Sequence, residues 1–219
     1  MRVWRTPHRG NHDFVAFAHY QAAMQSADFY TDYLLNAQEF DDHSKMLAHA
    51  VGLARSDGLV LEFGVATGRT ITMIAKHCRG QVFGFDSFEG LPESWYGDYR
   101  RGTFARDELP PVPDNVTLVT GWFSDTLPSV LAEHPEPVSF LHVDSDLYSS
   151  AALVLTQLRD RIVAGTVIVF DEYLNYPGWQ RHEHRAFVEF IEATGLPFRY
   201  DSFLRASQPV CVVIESGAS

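Results

Sequence analysis

Two stretches of the chain place carboxylates at the ends of apolar runs. In FLHVDSDLYSS, residues 140–150, an apolar strand ends at Val143 and delivers Asp144 and Asp146; in residues 166–172 a second strand ends in Asp171 and Glu172. Ligands of doubly wound sheets bind beyond the carboxyl ends of the strands, so two neighbouring strands of this kind bring four carboxylates into one small region. Such a group repels itself, and burying it unpaired costs several kcal/mol per charge. No lysine or arginine lies in either motif, which makes a bound divalent cation the economical counter-charge. All-oxygen ligation selects a hard ion, Mg²⁺ or else Ca²⁺ or Mn²⁺, over zinc. The competing assignment is structural: Asp146 caps a helix starting near Tyr148, and Glu172 points to solvent. Histidines supply alternative proton acceptors near working pH. His182 and His184 lie in RHEHR, residues 181–185, on the same rim as the acids, whereas His142 alternates with its strand and packs inward.

The element that sets a cofactor beside these acids is residues 59–70, LVLEFGVATGRT. Leu59, Val60, Leu61 and Phe63 form the short apolar run of a buried parallel strand. Gly64, Val65 and Gly68 then make a tight turn, and Thr70 opens a helix over 70–77 whose N-terminal amides face whatever binds there. A dinucleotide fingerprint starting at Gly64 requires glycines where Ala66 and Arg69 stand. The missing middle glycine is the one that lets backbone approach a pyrophosphate, which disfavours a nicotinamide dehydrogenase. Glu62 precedes the first glycine by two, and Asp86 closes the next apolar run, 81–85. E-x-G-x-x-x-G followed by a strand-end acid resembles the class I S-adenosylmethionine (SAM) methyltransferases. On that resemblance Asp86 accepts from the two ribose hydroxyls and Glu62 sits near the cationic end of the cofactor.

With 219 residues and 46% hydrophobic content, the chain suits one well-buried domain. The expected division is an N-terminal helical extension over 1–54, frayed over 1–11, and a core over 55–219. The extension is a helical cap on the sheet edge and a candidate homodimer contact. Alternating strands (82–85, 116–119, 138–143, 166–170) and helices (127–133, 149–161, 179–193) predict βαβ units, and 198–203 with 210–214 predicts a closing hairpin. The expected architecture is therefore α/β, a Rossmann-like, seven-stranded, mostly parallel sheet with a terminal antiparallel hairpin and helices on both faces. Residues 87–115 exceed an ordinary connection and carry Trp95, Tyr96, Tyr99, Phe104, Arg100, Arg101 and Arg106, a candidate substrate cover. The net charge of −11 opposes attraction to a nucleic-acid backbone and favours a small-molecule acceptor. Cys78 and Cys211 stand in no metal or redox spacing, and no apolar run reaches membrane-spanning length. A cytoplasmic protein, with no membrane partner, is the expectation.

Five motifs in order, LEFGVATGRT (61–70), GFDSFEGLP (84–92), VTGWFSDTLP (119–128), HVDSDLY (142–148) and FDEYLNYPGW (170–179), resemble the macrocin O-methyltransferase family. The resemblance covers about residues 59–190. It implies a SAM- and Mg²⁺-dependent enzyme that methylates a sugar hydroxyl. Carried over by position, Asp144, Asp171 and Glu172 hold the metal and Asp146 is the general base; the residues themselves leave His182 as a competing catalytic base. Gly64, Asp86 and Ser87 line the cofactor, as do Glu62, Val65, Gly68, Thr70 and Asp144, while Gly121, Trp122 and Phe123 flank the adenine. Glu172 departs from that family, which has aspartate there. A catechol-type phenolic O-methyltransferase uses the same strand ends, and a non-catalytic SAM-binding module uses the same scaffold.

Overall fold

The computed structural model describes residues 13–217, so the expected frayed start at residues 1–11 lies outside the described residues. The chain opens with α1 (Phe14–Phe29), capped by Asp13, whose carboxylate accepts from the Ala16 amide, and runs on through a π-helical turn, Tyr30–Leu34. It continues through β1 (Gln38–Phe40), α2 (His43–Leu53), β2 (Leu59–Phe63), α3 (Arg69–His77), β3 (Val82–Asp86), β4 (Val116–Thr120), α4 (Phe123–Glu133) and β5 (Val138–Val143). Then come α5 (Tyr148–Gln157), β6 (Val167–Phe170), a 3₁₀ turn (Trp179–Arg181), α6 (Glu183–Thr194), β7 (Phe198–Leu204) and β8 (Val210–Ile214). The helix expected over 179–193 is thus broken at His182, whose φ of −112° and ψ of −123° leave the helical region.

The strands form one sheet in the order β1-β7-β8-β6-β5-β2-β3-β4. All pairings are parallel except those of β8, which runs antiparallel to both β6 and β7. The order reverses at β2, between β5 and β3, and that switch point is where the crevice opens. Among the described residues eight strands are present where seven are expected. The extra one is β1, parallel to β7. Three residues with polar Gln38 and Glu39 carry too little alternation to be read as a strand.

Strands β2, β5 and β6 are buried along their whole length, as apolar runs with helices on both faces require. Period two then sorts their side chains. Leu61, Phe63, Leu141 and Phe170 pack with α1, α4, α5 and α6, whereas Val60, Phe140, Val167 and Val169 pack with α2 and α3. Helix α3 meets this second layer through Ile71, Ile74 and Ala75, a stripe at helical spacing. Among the described residues no helix is long and apolar enough to cross a membrane.

Candidate active site

The turn after β2 brings the two halves of the site together. Gly64 has φ +95°, and a Cβ there would lie 1.7 Å from the Asp144 carbonyl oxygen, so only glycine lets the turn after β2 run beside the end of β5. Ala66 holds φ +43°: the middle position of the turn keeps a left-handed backbone although no glycine occupies it. Asp86 braces this turn. Its Oδ2 accepts from the amides of Val65 (2.9 Å) and Ala66 (2.8 Å), and its Oδ1 accepts from Phe88 (2.7 Å). A carboxylate offers about four lone-pair sites, so acceptor capacity remains at the cleft edge.

A cleft of about 310 Å³ runs from this turn to the ends of β5 and β6, within the usual range for small-molecule sites. Gly64, Val65, Thr70, Asp86, Ser87, Trp122 and Phe123 line one part of it; Asp144, Asp146, Asp171 and Glu172 line the other. Gly68 and Gly121 shape the cleft without lining it. Gly68, at φ +75°, caps α3 beneath Pro110, and Gly121, at φ +139°, donates its amide to the Asp86 carbonyl at 3.0 Å.

The four acids expected at the strand ends do converge. One oxygen from each of Asp144, Asp171 and Glu172 lies within 4.8 Å of the others. Asp146 sits at φ +61°, and α5 has no side-chain cap, so the alternative that Asp146 merely caps the helix does not hold. Burial, reinforced by the Asp171 charge, raises Asp144 well above the carboxylate range and Asp146 to about 7. Glu172 is raised well above its ordinary value by burial and by the Asp144 and Asp171 charges, and its Oε2 has no hydrogen-bond partner. These oxygens fit a hard divalent cation, which would take the place of the retained protons.

The counter-charge expected only from a cation is supplied in part by imidazole. Asp171 Oδ1 lies 3.0 Å from His43 Nε2 and 3.6 Å from His142 Nε2. Burial by itself would raise Asp171, but the two imidazoles overcome it and hold the carboxyl below its ordinary range. Burial likewise opposes a charged His142, yet the neighbouring carboxylates of Asp171 and Glu62, the latter hydrogen-bonded at 2.8 Å, raise it well above the imidazole range.

Two expected site residues lie elsewhere. Glu62 is fully buried beneath the cleft floor, its Oε1 2.8 Å from His142 Nδ1, and does not line the cleft. The reason is parity: Glu62 shares a face with Val60 and pairs in register with His142 on β5. His182 does not line the cleft either; it packs among Trp95 and Tyr176, with ring centroids 6.1 and 6.0 Å away. Burial lowers His182, and it lowers His184 to about 4.

Residues 87–115 form a hydrogen-bonded loop, with Leu91 and Thr103 tied by Leu91 N–H to Thr103 carbonyl (2.9 Å) and Arg106 N–H to Phe88 carbonyl (2.9 Å). Gly90, Leu91, Pro92 and Phe104 reach the cleft, while Arg100, Arg101 and Arg106 are exposed and do not. Sequence reasoning missed His43, which comes from the N-terminal segment with no local signal. It also missed Glu183, an acid in RHEHR that is fully buried, raised to about 8 by burial despite two amide hydrogen bonds.

The profile of a methyltransferase domain family matches residues 61–173, just over half of the 219 residues. Demethyldecarbamoylnovobiocin O-methyltransferase of Streptomyces niveus is 27% identical over 111 residues, which cover 42% of this chain and 41% of that protein. A tetracenomycin rhamnosyl 4'-O-methyltransferase of Streptomyces olivaceus is 28% identical over 114 residues, 42% of each chain. The chain thus matches about two fifths of the length of these curated relatives. Among solved structures, the calicheamicin methyltransferase CalS11 superposes with a TM-score of 0.63 at 22% identity, covering 94% of each chain, which places the fold.

Proposed function

The chain belongs to the methyltransferase domain family, and on that premise we propose that it is a SAM-dependent O-methyltransferase acting on a hydroxyl of a sugar or glycosylated natural product. The finer assignment is to the macrocin O-methyltransferase type, with Mg²⁺ or another hard divalent cation held by Asp144, Asp171 and Glu172. The observation that carries it is the convergence of these acids in the same cleft as the Gly64 turn and Asp86. The two Streptomyces relatives, whose names describe O-methyltransferases of natural products, support the acceptor class.

Asp86, Ser87 and the Gly64–Val65 turn bind the ribose side of the cofactor, and Trp122 with Phe123 offers a flat wall for the adenine. When bound, SAM supplies an activated methyl group and the cation supplies Lewis acidity to neighbouring acceptor oxygens. Asp146 is the base that takes the hydroxyl proton. Asp146 lines the same cleft as the three proposed ligands, which is the placement a general base needs. The apolar rim of Leu91, Pro92 and Phe104 limits water at the reacting end. Orientation carries more of the rate than the base, on the order of 7 to 11 kcal/mol against about 10² to 10⁴-fold.

The test is turnover with SAM and Mg²⁺ on a panel of glycosides and vicinal phenols, read by mass spectrometry. Methylation of a sugar hydroxyl, lost with EDTA and restored by Mg²⁺, is the expected result. Methylation of phenols alone would overturn the acceptor class, and SAM binding with no transfer to any acceptor would overturn the enzymatic reading.

A further inference from the structure

We propose that Glu183 is a positioning residue that ties the two acid-bearing strand ends together and so fixes the spacing of the cleft carboxylates. Strands β5 and β6 pair as far as Val143 and Phe170, and their last direct link is the Asp171 amide donating to the Val143 carbonyl at 2.9 Å. Beyond that point the two chains diverge, β5 toward α5 and β6 toward the 3₁₀ turn. The Ser145 and Glu172 amides therefore lose any ladder partner at the residues where spacing matters most.

Glu183 supplies the missing acceptors. Its Oε1 accepts from the Ser145 amide at 3.2 Å and its Oε2 from the Glu172 amide at 3.0 Å, one oxygen for each strand end. The side chain is completely buried and does not line the cleft, so it touches neither acceptor nor cofactor. A buried acid side chain is costly and persists where its oxygens answer donors that would otherwise be orphaned. Ser145 lies between Asp144 and Asp146, and Glu172 follows Asp171, so one carboxylate on α6 holds the backbone of all four acids. The break at His182 sets the first residue of α6 against the strand ends, and α6 packs on α5 through Phe187 and its neighbours. Glutamine cannot replace this function, because its amide nitrogen would face an N–H donor. Aspartate is one methylene shorter and cannot span both strand ends.

The consequence for cation affinity rests on the proposed metal reading; the tie itself does not. The test compares the full chain with Glu183→Gln and Glu183→Asp. Hydrogen exchange on the metal-free protein is expected to speed up at the Ser145 and Glu172 amides by roughly tenfold or more, with protection elsewhere retained. Mn²⁺ affinity, followed by electron paramagnetic resonance, is expected to fall about 10 to 100-fold, the loss typical of residues that orient metal ligands, while affinity for S-adenosylhomocysteine stays within about twofold. Unchanged exchange at both amides overturns the tie whatever the cation does. Faster exchange with unchanged Mn²⁺ affinity overturns the positioning role, as does a uniform loss of thermal stability and cofactor affinity in both variants. A wild-type chain that takes up no Mn²⁺ defeats the metal reading alone, and the exchange result then decides the tie.

Discussion

The two ends of the cleft are built on different principles. At the cofactor end, the Gly64 turn and Asp86 are held almost entirely by backbone amides of nearby segments: Val65, Ala66 and Phe88 all donate to one carboxylate. At the acid end the restraints are side chains from three separate elements: His43 comes from α2, His142 from β5, and Glu183 from α6. The first end is a turn whose amides are answered by the neighbouring strand β3. The second exists only when three layers have met, and it stores unfavourable burial of like charge that the first does not. The two ends should therefore respond separately to substitution, except at the one residue where they touch.

That residue is Gly64, and Gly64→Ala should have the largest effect. The added Cβ meets backbone at 1.7 Å in a left-handed conformation, so destabilisation on the order of 3 kcal/mol or more is expected in urea denaturation, with both cofactor and cation binding lost. Asp171→Asn should break only the acid end. Its Mn²⁺ affinity should fall by more than the roughly 10 to 100-fold typical of an outer partner, while S-adenosylhomocysteine binding in calorimetry is retained. Retained cation binding would remove Asp171 from the ligand set. Asp86→Ala should do the reverse, orphaning three amides and weakening S-adenosylhomocysteine by about 10 to 100-fold, equivalent to roughly 1 to 3 kcal/mol, with cation affinity held.

A smaller effect separates the ends by pH. Asp146 is raised to about 7 by burial and by Asp171, so the folded state holds a proton that the unfolded chain releases near pH 4. Its favourable contribution is present below the ordinary carboxylate pKa and is lost as pH rises through about 7. In the metal-free protein Asp146→Asn should therefore add about 2 kcal/mol at pH 8 and little at pH 4, measured by denaturant midpoint. Activity should fall, since the base is gone. No gain at pH 8 would show that Asp146 is solvated. The smallest change is His182→Ala, which should alter turnover by less than about twofold because that ring lies outside the cleft; a large loss would restore it as a catalytic residue.

How far the site could be read in advance follows the same division. The strand-end acids, the glycine turn and Asp86 stood out because apolar runs, glycines and acids lie next to one another along the chain. The destination of Glu62 was harder. Strand β2 is buried on both faces, so hydropathy does not say which face an interior acid takes, and only the register opposite His142 decides it. The edge strand β1 was hidden by its length, and the cleft-facing part of residues 87–115 by the absence of any period in a loop. The position of His182 has a related cause: the break before α6 turns it toward Trp95 and Tyr176 rather than toward the acids.

What the amino-acid order determined by itself is the alternation of strands and helices, the parallel sheet with its closing hairpin, and the presence of four acids at two strand ends. These are consequences of period two, period 3.6 and turn chemistry, which act over a few residues. Only the tertiary structure decided how those acids are borne: Asp171 between two histidines, Glu62 under the floor, and Glu183 answering one amide from each strand. Electrostatic partners in a buried site are chosen by distance in space, and residues 43, 142, 171 and 183 become neighbours only after the layers pack.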